Sequence, residues 1–147
     1  MMKTLYLAIA IGGFAVAGPV LAQDETSSII GAWRMTSLEF TDASGHTATV
    51  PYSGQVIFTE AGTLSVQAMN PDTSAPDNPY TLNGYEAYYG PVTVNEAEGT
   101  FVIEVESAAV RNLIGQRFER MFEVIGDQLV LTPANAEEGW RVTYERY

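Results

Sequence analysis

Arg120 is the residue that packing alone explains least. In the stretch from Arg117 to Ile125 it alternates with Phe118, Phe122 and Val124. Two-residue alternation puts that set on one face of a strand and Arg117, Glu119, Met121 and Glu123 on the other. The apolar set is the inward one. A guanidinium cannot neutralise itself by losing a proton, so burial demands a carboxylate or carbonyl partner. Two kinds of partner are open. One is an internal acid, Glu104 or Glu106, which lie two apart on another strand and so share a face. The other is an anionic or carbonyl-bearing ligand. Inward and close, the two glutamates would share protons and could do acid/base work; outward, they form a solvated stripe. Tyr85, Tyr88 and Tyr89 crowd a further strand, and either parity brings a phenol inside. A phenol offers an apolar body and one donor, which suits a pocket that grips and orients a mostly hydrophobic molecule. Tyr88, Tyr89, Phe118, Phe122, Arg120 and Glu104 are therefore the candidate ligand-binding residues.

Other chemistries lack their residues. There is no cysteine, and the one histidine, His46, sits in a Gly/Ser/Thr-rich turn. Metal ligation, thiol catalysis and a Ser-His-acid arrangement are not expected. No phosphate-cradling glycine loop precedes a helix and no spaced Asp/Asn/Gly calcium loop occurs, so no cofactor is expected either. The formal charge is -11. Six arginines, one lysine and eighteen scattered acids exclude the clustered positive charge that nucleic acid or an anionic membrane surface would require.

These side chains must be held by strands. Residues 31–40, 46–51, 54–59, 63–69, 84–95, 100–106, 117–125, 128–132 and 140–147 read as strands with two-residue alternation, and no stretch of a dozen residues has helical spacing. Most connectors are short and contain glycine, as Glu60-Ala61-Gly62 and Gly126-Asp127 do, which predicts antiparallel neighbours. Closing such a sheet on itself removes its exposed edges. The expected fold is all-β, an antiparallel up-and-down barrel of 8–9 strands, with a two-sheet sandwich as the alternative. Two connectors stand apart. Residues 70–83 carry three prolines and predict a rigid, polar, exposed loop; residues 107–115 predict one helical turn across an end of the barrel, with Gly115 as its cap.

Gly31-Ala32-Trp33 heads the first strand and Tyr144-Glu145-Arg146 closes the last. Together with Val56-Ile57-Phe58-Thr59, Gly62-Thr63-Leu64-Ser65-Val66-Gln67, the Gly84 to Gly90 stretch and Phe122 to Leu129, they make the chain similar to the lipocalin-like domain family of small bacterial and fungal calycin relatives. The resemblance covers about residues 31–147 and implies a barrel whose G-x-W tryptophan seals the closed end under a late-strand arginine. On that reading Trp33 and Arg146 are structural. Arg120 also falls on an arginine of the family pattern. A departure lies at Ile103-Glu104-Val105-Glu106, where the family usually has a histidine pair before a Val-Glu step; chemistry that leans on those histidines does not carry over. Trp140, opening the last strand, is assigned to packing.

Residues 1–22 have the order of a secretory leader: Lys3, an apolar run from Leu5 to Ala17, then small residues up to Ala22. That run, about 13 residues, is too short to span a bilayer of roughly 30 Å as a helix. The reading is a leader at 1–22, a polar lead at 23–30 and a barrel domain at 31–147. The mature protein is expected to be periplasmic or secreted, without a stable membrane anchor. Its expected partner is a small hydrophobic or carbonyl/carboxylate-bearing molecule bound inside the barrel. The alternative is a cofactor-free isomerase, cyclase or lyase using a Tyr/Arg/Glu set in the same cavity.

Overall fold

The structure, a computed structural model, describes residues 27–147. The expected leader and its cleavage point lie outside the described residues. Ten strands form one sheet: β1 (Gly31–Thr41), β2 (Thr47–Val50), β3 (Ser53–Phe58), β4 (Thr63–Met69), β5 (Tyr85–Asn95), β6 (Thr100–Glu104), β7 (Ser107–Ala108), β8 (Arg117–Ile125), β9 (Gln128–Pro133) and β10 (Trp140–Arg146). The order runs β10-β9-β8-β6-β5-β4-β3-β1, and β1 pairs antiparallel with β10, so eight strands close on themselves. The barrel is thus a meander in which each strand pairs with its sequence neighbour. Short β2 extends the β1 edge and β7 pairs with β5.

The two ends are built differently. Tight turns after β3, β5 and β8 gather at one end, together with the entry into β1. There Trp33 is fully buried, its Nε1 donating to the Ile29 carbonyl at 2.9 Å. Arg146 lies over the indole, its Cζ 4.0 Å from the ring centroid, and donates to the Ile30 and Ser28 carbonyls. Gly31 makes this possible. Its φ is +135°, and a β-carbon there would stand 2.6 Å from Arg146 Nη1. Phe58, Phe101 and Phe122 fill the space above, with centroids 5.2 Å and 6.3 Å apart.

The opposite end is the mouth, formed by the longer connectors. A bulge between Met35 and Ser37 shifts the parity of β1 relative to β10. Trp33 and Met35 below it and Leu38 and Phe40 above it therefore all face inward. Beyond β6 the chain bends, and the strand expected over 100–106 stops at Glu104. Val105 donates its N–H to the Gln116 carbonyl and Glu106 donates to that of Tyr89. That bend presses on β5 so closely that a β-carbon at Gly90 would stand 1.8 Å from the Glu104 carbonyl oxygen. Residues 107–115 give β7 and then the expected single helical turn, of 3-10 type at Arg111–Leu113, with Leu113 buried.

Candidate functional site

A cavity of about 410 Å³ occupies the mouth half of the barrel. Towards the closed end it meets Val56, Leu64 and Phe101; its walls are Leu38, Val66, Ala68, Ile103, Leu131 and Val142. Eight strands leave a bore that side chains can fill. The phenylalanines fill it below, whereas the inward positions nearer the mouth include small residues such as Ala68 and Val142, and space remains.

Tyr88 and Arg120 line this cavity, Arg120 on the face that alternation predicts and Tyr88 by one of the two parities the sequence leaves open. Arg120 is 7% exposed, and both terminal nitrogens of its guanidinium have partners. Nη1 donates to the Glu119 carbonyl at 3.0 Å and Nη2 to the Tyr80 hydroxyl at 3.3 Å. Glu138 lies 3.8 Å from Nη1 and also accepts from Trp140 Nε1 at 3.1 Å. The cation sits over the rings of Phe118 and Trp140, at 4.9 Å and 5.1 Å. Phe118, expected to line the cavity, faces inward but is not part of its lining and packs edge-on against Tyr80 and Tyr88.

Besides Phe118, four expectations change. Tyr89 is 48% exposed and points outward, because Tyr88 takes the inward parity of β5. Glu104 is exposed, and so is Glu106, since β6 turns Phe101 and Ile103 to the core. Neither acid is the partner of Arg120. Phe122 faces inward but packs against Phe101 in the closed half, away from the cavity. Trp140, expected only to pack, lines the cavity and stacks on Arg120.

The internal acid is Glu86, on β5 two residues before Tyr88. Glu86 and Tyr88 lie deep within the barrel while keeping some surface towards the cavity. Burial raises the Glu86 carboxyl to about 7, against the pull of the nearby Arg120 charge and the Tyr88 hydroxyl. Burial also raises the phenols of Tyr52, Tyr88 and Tyr144, and the charge of Glu86 adds to each. Among the described residues no cation lies within ion-pair distance of Glu86. Alternation marks this residue in hindsight: Glu86, Tyr88, Gly90, Val92 and Val94 share a face whose lower half is apolar, which fixes the parity of the strand.

The loop over 70–84 is not a free surface loop. Asp77 accepts from the N–H groups of Asn83 and Gly84 at 2.8 Å and 2.7 Å. Asn78 accepts from the Tyr80 N–H and donates to the Tyr52 hydroxyl at 3.3 Å, and Thr81 is buried. This brace carries Asn78, Pro79 and Tyr80 to the mouth, where they line the cavity. No period or motif announces them.

The fold has relatives among solved structures. A lipocalin-like protein from Bacteroides uniformis ATCC 8492 is 14% identical, with a TM-score of 0.50 over 80% of this chain and 97% of that one. An uncharacterized protein from Bacteroides eggerthii DSM 20697 is 17% identical, with a TM-score of 0.49 over 80% and 98%. No curated protein matches the sequence. Residues 30–146 match the family model described as a lipocalin-like domain, and with the G-x-W seal, the late arginine and the closed eight-stranded meander all present, the chain belongs to the lipocalin-like domain family.

Proposed function

We propose that this chain is an exported binding protein that holds a small, mostly apolar molecule in the mouth half of its barrel. The observation that carries this reading is the cavity of about 410 Å³, walled by aliphatic and aromatic carbon with a few polar groups converging on it. Ligand sites of small molecules have that size and that balance. A barrel working only through its outer loops would gain nothing from leaving this volume unfilled, since voids cost packing energy.

The test is titration with N-phenyl-1-naphthylamine, an uncharged dye whose emission rises in apolar surroundings. Saturable one-site binding is expected. Val66→Trp, which fills the cavity from β4, should weaken it at least about tenfold while the far-ultraviolet circular dichroism is retained. Equal binding by the filled variant, or no saturable binding by the wild type, would overturn the reading. Export rests on the order of residues 1–22, and N-terminal sequencing of the exported protein should begin at Gln23.

Glu86 favours a second reading, a cofactor-free isomerase, cyclase or lyase. An acid held near neutrality is well placed to move a proton, and Arg120 and Tyr88 could polarise a carbonyl beside it. Glu86 takes the role that the sequence offered to Glu104. Exchange of a carbonyl compound's α-proton for deuterium, lost in Glu86→Gln, would support this reading; its absence would leave binding as the function.

A further inference from the structure

Resting on the binding reading, we propose that the cavity selects organic cations, with a protonated amine of the ligand pairing with Glu86 and its apolar body filling the barrel. The expected anion partner, Arg120, already has Glu138 beside it and donates to the Tyr80 hydroxyl and the Glu119 carbonyl. Glu86 is the cavity acid with no cation within ion-pair distance among the described residues; the Arg120 charge reaches it only at longer range. Counting the charged side chains that line the cavity, Arg120 is offset by Glu138, so an ionised Glu86 leaves one net negative charge.

The surroundings of Glu86 suit a cation. Tyr88 on its own strand, Tyr52 beside β3 and Tyr144 on β10 sense its charge. From β8 comes Arg120, and the braced loop contributes Tyr80 at the cavity and Asp77 near Tyr52. Neighbouring Ala68 on β4 brings no charge. Aromatic faces attract ammonium groups, and the chain's formal charge of -11 draws cations and repels anions. A bound ammonium would also stabilise the ionised carboxylate. Binding should therefore release a proton from Glu86 on the acid side of neutrality, and affinity should rise with pH.

The experiment compares three probes of one shape: 1-naphthylmethylamine, charged when bound; 1-naphthylacetate, its anionic counterpart; and 1-naphthalenemethanol, which is neutral. At about pH 8 the amine should bind at least about tenfold more tightly than the acetate, and Glu86→Gln should shrink that gap to about twofold or less. Calorimetry at about pH 6 in buffers of different ionisation enthalpy should show proton release with the amine and none with the alcohol. Glu86→Leu provides a second variant if the glutamine form folds poorly, with circular dichroism as the control for both. Should the alcohol bind and the amine bind no better than the acetate, the cation inference falls while the binding reading stands. Should none of the three bind, both fall.

Discussion

The barrel uses the same device at both ends, a guanidinium laid on a tryptophan, and obtains different results. At the closed end Arg146 covers Trp33, its terminal nitrogens donate to backbone carbonyls and its Nε faces Asp127. Three phenylalanines pack into the space above the indole. At the mouth Arg120 stacks on Trp140 and is equally well partnered, yet the space beneath it is hollow and an acid is left over. A buried arginine is therefore not in itself the mark of a ligand site. The informative group is the acid that faces the cavity with no cation within ion-pair distance, and among the described residues that is Glu86.

The largest effect should come from the closed end. Trp33→Ala removes a fully buried indole from a region that cannot collapse, and urea melts should show a loss of about 3–5 kcal/mol. A loss under about 1 kcal/mol would mean that the seal does not hold the barrel together.

The next concerns Glu86 and pH. Its folded value of about 7 lies above the ordinary 4.5, so the folded state holds the proton more tightly than the unfolded chain. That contribution to stability is fully present below about 4.5 and is lost as pH rises through about 7. Unliganded protein should lose at most about 3 kcal/mol across that window, and Glu86→Gln should remove this part of the slope. Urea midpoints at several pH values, taken as the difference between wild type and variant, measure it.

Arg120→Met keeps much of the packing but deletes the hydrogen bonds to Tyr80 and Glu119 and leaves Glu138 without its cation. Because Glu138 is partly exposed, the cost should be about 1–3 kcal/mol, smaller than for a fully buried pair. The same change should raise the Glu86 value further, because the nearby positive charge lowers it. Smallest of all, Tyr89→Ala and Glu104→Gln should each change dye affinity by less than about twofold, because both side chains lie on the outer face. A large loss of binding from either would place the site outside the barrel.

Much of this architecture was readable from the sequence because alternation is a strong signal where a strand is half buried. The stretch 117–125 shows it: Phe118, Arg120 and Phe122 did turn inward, since the opposite parity would bury two glutamates. Alternation fails where both faces read alike. Tyr88 and Tyr89 are adjacent and identical in type, so only the lower half of β5, with Val92 and Val94, decides between them. Glu104 and Glu106 looked like a pair on one face; they are exposed because Phe101 and Ile103 claim the core. Tyr80 and Asn78 were out of reach for another reason. Their places depend on backbone N–H groups donating to the side chains of Asp77 and Asn78 within an irregular loop, which no periodicity encodes.

The most direct measurement is the carboxyl carbon-13 titration of Glu86 by nuclear magnetic resonance, with and without saturating 1-naphthylmethylamine. The free protein should titrate near 7, and the bound protein should titrate well below that, because a paired ammonium holds the carboxylate ionised. An ordinary midpoint near 4.5 in the free protein, or one that the amine leaves unmoved, would contradict the claim that Glu86 is the acid around which this cavity binds.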